Sequence, residues 1–177
     1  MKVSAPYFFT FGDKFPAFFP DTGWYGFFVL IYCWNQINMK TILLFGAGRS
    51  ATVLIDYLLE NAVSGNWQLI LVDADLSLAS SKIGPSLRGS PLSFNIQNEE
   101  ERGTQIKQAD LVISLLPPSL HIEVAKDCLK YHKHLLTASY VDPQIKALEK
   151  DIEKNKLLFI YEMGLDPGID HECHAPL

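Results

Sequence analysis

Six short apolar runs separated by helical patterns restrict this chain more than any other feature. The runs cover residues 40–45, 68–72, 91–96, 110–116, 134–138 and 157–161. Each has strand length, and each is followed by glycine, proline or polar residues that stop it. Helical spacing fills the gaps, over 48–60, 76–83, from 98 onward, after 119, and from 142 to about 156. Strands alternating with helices need crossover connections, and these build a parallel sheet with helices on its faces. Right-handed crossovers leave few topologies open, and the one expected is a doubly wound, six-stranded Rossmann-type α/β sheet. Ligands of such sheets sit beyond the carboxyl ends of the strands. Those ends are 46–51, 73, 116–118, 139–140 and 162–168, which gathers glycines and polar groups along one edge.

The first strand runs into Gly46-Ala47-Gly48-Arg49-Ser50-Ala51, followed by a helical pattern through Val53, Leu54, Tyr57 and Leu58. This is the order needed to hold a dinucleotide pyrophosphate. Gly46 permits the turn, Gly48 lets the backbone approach phosphate oxygens, and Ala51 is small enough for close helix–strand packing. Unpaired N–H groups and the positive end of the helix dipole converge there, making Arg49 and Ser50 phosphate-contact candidates. Leu116 and Pro117, where the fourth strand ends, are cofactor candidates by position. The second strand ends at Asp73, 27 positions after Gly46, against a usual spacing of about 20. The loop at Ser64-Gly65-Asn66 accounts for the excess. A carboxylate there can accept both ribose hydroxyls and would repel a 2′-phosphate, so NAD is expected ahead of NADP. The alternative for Asp73 is a solvated turn residue.

Charge and cysteine content exclude several functions. The net charge is −5, and Arg49, Arg88 and Arg102 are dispersed, so no basic stripe is available for nucleic acid or an anionic membrane. Cys33, Cys128 and Cys173 are far apart, with no Cys-x-x-Cys pair. That spacing argues for a reducing compartment, here the cytoplasm, and against a disulfide framework or structural zinc. Cys128 shares a helix face with Ile122, Ala125 and Leu129 and reads as a small core residue. The charge run at 98–102 reads as a solvated helix face. His121, early in a helix, reads as structural, with proton transfer the rarer role. His171-Glu172-Cys173-His174 offers ligand types, but nothing distant completes a set, so no metal is expected.

Residues 1–38 are of another kind. They hold eight of the eleven phenylalanines, without a period of two or of 3.6. Their apolar stretch, 23–34, is shorter than the roughly 20 residues of a membrane-spanning helix. No secretory signal pattern is present. Met39-Lys40-Thr41-Ile42 reads like a start leading into the first strand. Residues 1–38 are therefore expected to be a hydrophobic extension, non-native or disordered, with a membrane-associating hairpin as the alternative.

Several of these stretches resemble a known family. Gly46-Ala47-Gly48-Arg49-Ser50, the run 110–117, and Thr137-Ala138-Ser139-Tyr140-Val141 are similar to the N-terminal part of saccharopine dehydrogenases. So, above all, is Gly164-Leu165-Asp166-Pro167-Gly168-Ile169-Asp170-His171. The likeness is to the glutamate-forming type, also called saccharopine reductase, and covers about 39–171. It implies hydride transfer between a nicotinamide dinucleotide and the secondary amine of an amino-acid substrate, saccharopine, in lysine metabolism. Oxidation gives an imine, which water splits into glutamate and aminoadipate semialdehyde. The resemblance implies that Ser139 and Tyr140 contact substrate, and that Leu165, Asp166 and Pro167 lie beside the cofactor. Asp166 would also reach the substrate, with Asp166 and Tyr140 as the catalytic candidates. Without the resemblance, Asp166-Pro167-Gly168 reads as a tight turn.

Members of this family continue for a few hundred residues, into a domain that completes the substrate site and the homodimer contact. Residues 172–177 do not look like the apolar helix expected next and read as a truncated or frame-altered tail. The expectation is a cofactor-binding domain, inactive alone. The alternatives are a stand-alone NAD-binding regulatory module and a related imine-reducing enzyme of polyamine synthesis.

Overall fold

Ile42 and Leu44 face one side of the first strand, Leu43 and Phe45 the other, and all four are buried. A strand buried on both faces belongs inside a sheet that is covered by helices on both sides. The computed structural model describes residues 39–163. Its strands are β1 (Lys40–Phe45), β2 (Trp67–Asp73), β3 (Gly89–Ser93), β4 (Leu111–Ser114), β5 (His134–Thr137) and β6 (Phe159–Ile160). All pair in parallel, in the order β3-β2-β1-β4-β5-β6. The helices are α1 (Thr52–Glu60), α2 (Leu76–Ile83), α3 (Glu99–Gln108), α4 (His121–Lys130), α5 (Pro143–Lys146) and α6 (Glu149–Lys154). The expected doubly wound arrangement is therefore present.

Alternation along the strands makes two cores. On one face Ile42, Leu44, Leu69 and Leu71 pack against Ile55 and Leu58 of α1 and Ala79 and Ile83 of α2. On the other, Leu43, Phe45, Val112 and Leu135 pack against Ile106 of α3, Val124 and Cys128 of α4, and Ile145 of α5. Each fully buried aliphatic side chain contributes about 1.5–3 kcal/mol. Cys128 is completely buried, and burial pushes its thiol well above the ordinary range, with the Asp127 charge adding to the effect. It is a packing residue, as its helical position predicts.

The chain winds outward through β2 and β3, returns to the far side of β1, and winds outward again through β4, β5 and β6. Strand order reverses between β1 and β4, and at such a switch point the connections diverge and leave a crevice at the carboxyl ends.

Four local expectations are corrected. The third strand lies at Gly89–Ser93, two residues earlier than expected at its start. Pairing begins there because Leu69 N–H donates to the Arg88 carbonyl at 2.8 Å. Phe94 then leaves the sheet and meets Phe45 edge-on, with centroids 6.4 Å apart. The helix expected from 142 to 156 is split into α5 and α6, and β6 holds only two residues. The run at 98–102 is not wholly solvated. Glu99, Glu100 and Glu101 are exposed, but Arg102 is buried and its Nε donates to Asp127 Oδ2 of α4 at 2.7 Å. Its Nη1 donates to the Ile96 carbonyl at 2.6 Å.

Candidate functional site

The turn after β1 is held open by geometry that only glycine supplies at its first position. Gly46 has φ +99°, and a Cβ there would lie 2.8 Å from the Leu115 carbonyl oxygen. Gly46 N–H donates to the Val72 carbonyl at 2.8 Å, and Leu115 N–H to the Phe45 carbonyl at 2.8 Å, so the turn is gripped by β2 and β4. Gly48 differs: a Cβ at this residue would meet no heavy atom within 4 Å. Its exposed backbone stands beside open space, as close approach by a phosphate requires.

Arg49–Ala51 form a 3-10 turn leading into α1. No side chain caps either the turn or α1, and the first turn of α1 carries no acid. By contrast, Asp75, Asn98 and Asp142 cap α2, α3 and α5 through their side chains. The entrance to α1 keeps its partial positive charge available for an anion. Ala51 is fully buried against the sheet, while Arg49 and Ser50 are exposed.

A cleft of about 590 Å³ lies at the switch point. Gly46, Gly48, Asp73, Leu116 and Pro117, five of the residues expected at a cofactor site, line it. Phe45, Val72, Leu115 and Leu120 make its walls largely apolar. Ser93, Phe94, Asn95 and Ile96 also contribute and were not anticipated, because the misplaced third strand hid its own end. The residues present fit a dinucleotide: an open glycine backbone, an uncapped helix entrance and an apolar floor meet in one place.

Asp73 lines the cleft but is engaged with its own chain. Its Oδ2 accepts from Ala47 N–H at 2.7 Å, and its Oδ1 from Asp75 N–H at 3.0 Å. The carboxylate thus braces the glycine turn against the β2–α2 turn, a use that its position alone does not reveal.

At the end of β5, Ser139 N–H donates to Thr137 Oγ1 at 3.2 Å, and its carbonyl accepts from Glu162 N–H at 3.1 Å. Tyr140 follows, 55 % exposed. Leu165, Asp166 and Pro167 lie outside the described residues. Among the described residues, no group of three or more His, Cys, Asp or Glu is placed to hold a metal ion. No described helix is long and apolar enough to cross a membrane.

Comparison with known proteins gives this geometry its family. The family model of the saccharopine dehydrogenase NADP binding domain matches residues 42–160. The mitochondrial alpha-aminoadipic semialdehyde synthase of Bos taurus is 36% identical over 134 residues, covering 75% of this chain and 14% of the relative. The NADP(+), L-glutamate-forming saccharopine dehydrogenase of Schizosaccharomyces pombe is 32% identical over 133 residues, covering 75% of this chain and 29% of the relative. The apo structure of the L-Glu-forming saccharopine dehydrogenase from Saccharomyces cerevisiae matches with a TM-score of 0.68 and 31% identity, over 75% of this chain and 29% of that one. The expectation of NAD ahead of NADP is overturned, since the matching domain is an NADP-binding one. That expectation rests on the charge of Asp73, whose carboxylate also braces the glycine turn. Built around a glycine turn at the switch point of a parallel sheet, the chain belongs to the saccharopine dehydrogenase family and carries its NADP-binding domain.

Proposed function

We propose that the chain binds NADP in this cleft and presents it for hydride transfer at the C–N bond of saccharopine. The observation that carries this reading is that the turn glycines, the end of β2 and the loop 115–117 after β4 surround one cleft. In this reading the backbone from Gly48 to Ala51 and the entrance of α1 hold the pyrophosphate. Arg49 supplies positive charge to the phosphates, assisted by Ser50. Leu116 and Pro117 wall the nicotinamide end. When bound, the nicotinamide supplies the hydride acceptor or donor. Ser139 and Tyr140 meet the substrate, together with Asp166 between Leu165 and Pro167.

In the oxidative direction the substrate carbon would give up a hydride to bound NADP and the nitrogen a proton, leaving an imine. Water then cleaves the imine to glutamate and aminoadipate semialdehyde. The Tyr140 hydroxyl orients the amine, and the Asp166 carboxylate stabilises the positive charge that develops on nitrogen as hydride departs. These roles rest on the family resemblance.

The chain spans 14% of the bovine relative's length and 29% of the fission-yeast relative's. Binding without turnover is the behaviour expected of it by itself. We assign the binding to residues 39–171, so a chain starting at Met39 should bind as the longer one does. The separated cysteines support a reducing compartment, the cytoplasm in our reading; the bovine relative is named as mitochondrial, and immunolocalisation distinguishes the two. Fluorescence titration tests the central reading: NADPH should bind, and more tightly than NADH. A chain that binds neither is not the cofactor domain proposed.

A further inference from the structure

Between the ends of β4 and β5 lies a buried polar cluster that the cofactor cleft does not include. His121, the first residue of α4, is 5% exposed, Thr137 1% and Ser114 completely buried. His121 Nδ1 lies 2.8 Å from Ser114 Oγ and 3.5 Å from Thr137 Oγ1. Thr137 Oγ1 in turn accepts from Ser139 N–H at 3.2 Å.

One imidazole therefore meets the end of β4 and the end of β5, and the loop 115–117 follows Ser114 directly along the chain. Leu116 lines the cleft, while Ser139 and Tyr140 continue β5 toward the substrate side. Three polar side chains buried together cost desolvation unless they satisfy one another, and apolar residues would fill the space more cheaply. Position is the second argument. The cluster stands at the carboxyl ends of the strands, where ligands bind, and not in either apolar core. Burial holds the His121 ring below its ordinary pKa, with the Leu116 backbone acting in the opposite sense. The ring is neutral at neutral pH and can accept at one nitrogen while donating at the other.

We propose that His121 is a positioning residue that fixes the cofactor-facing loop 115–117 relative to the substrate-facing end of β5, setting the nicotinamide end of the cleft. This rests on the NADP reading above, and the test separates the two.

The full 177-residue chain is titrated with NADPH and with adenosine 2′,5′-bisphosphate, which lacks the nicotinamide half. In His121→Leu, NADPH binding should weaken about tenfold, the loss expected when buried partners go unpaired. Affinity for adenosine 2′,5′-bisphosphate should stay unchanged, and bound NADPH should lose its nicotinamide fluorescence enhancement. His121→Gln, which can still accept and donate, should restore part of both. Thr137→Val, nearly isosteric, should show the same selective loss in smaller measure, and it carries the test should His121→Leu not fold. Equal weakening of both ligands, or no change in either, overturns the proposal. An unmodified chain that binds neither ligand refutes the cofactor reading instead.

Discussion

Replacing Gly48 with alanine adds a single methyl group at the lip of the cleft. The backbone there has φ −60° and ψ 177°, which any L-residue adopts. The added Cβ meets no heavy atom within 4 Å. Without ligand the substitution acts mainly on the unfolded chain, and should stabilise the protein by about 0.4–1 kcal/mol. With NADP the methyl stands where a phosphate must approach the backbone. Losing one hydrogen bond to a charged group costs about 1.5–3 kcal/mol, or about 10- to 150-fold in Kd. Gly46→Ala should behave oppositely, because φ is +99° and the Cβ would lie 2.8 Å from the Leu115 carbonyl oxygen. The left-handed backbone alone costs roughly 1–2 kcal/mol. Urea unfolding without ligand and NADPH fluorescence titration, run on both variants, separate the two effects. A Gly48→Ala protein that is more stable and still binds NADPH as the unmodified chain does would refute the phosphate cradle.

Further predictions concern the turn, the helices and pH. Asp73→Ala strips the acceptors from Ala47 and Asp75 N–H and should destabilise by about 1–3 kcal/mol. It should weaken NADPH binding, whereas tighter binding would revive the view that Asp73 acts by repelling a 2′-phosphate. Arg102→Met leaves Asp127 as a buried charge without its partner and should cost about 3–5 kcal/mol in denaturant unfolding. Releasing the Ile96 carbonyl should also loosen that wall of the cleft. His121 is held below its ordinary pKa by burial, so below about pH 6.5 the unfolded chain takes up a proton that the folded chain refuses. Stability from this residue is present above that pH and is lost as pH falls toward the folded value. A pH series of unfolding curves should show this slope, and His121→Gln should lack it.

What could be read from the sequence is what depends on neighbours along the chain. β1 was legible because Ile42 to Phe45 are apolar at every position, which only a doubly covered strand tolerates. The glycine turn was legible because φ and close approach are local demands. β3 was misplaced because Phe94 and Ile96 are apolar for a different reason: they pack beside the cleft after the chain has left the sheet. Arg102 looked solvated because its partner, Asp127, is on the next helix. The bracing role of Asp73 was hidden in the same way, since only the folded turn brings Ala47 N–H to its carboxylate. His121 gained its meaning from Ser114 and Thr137, which only the pairing of β4 with β5 brings together.

The two margins of the sheet bear on how copies of this domain meet one another. An outer strand exposes unpaired N–H and C=O groups that can template pairing between chains and start aggregation. Here β3 and β6 are the outer strands. β3 carries Pro91, which has no N–H to offer, and β6 offers only Phe159 and Ile160. Among the described residues, neither margin gives an incoming strand a long uninterrupted row of partners. Concentrated preparations should therefore resist sheet-to-sheet polymerisation, and replacing Pro91 by valine should lower that resistance.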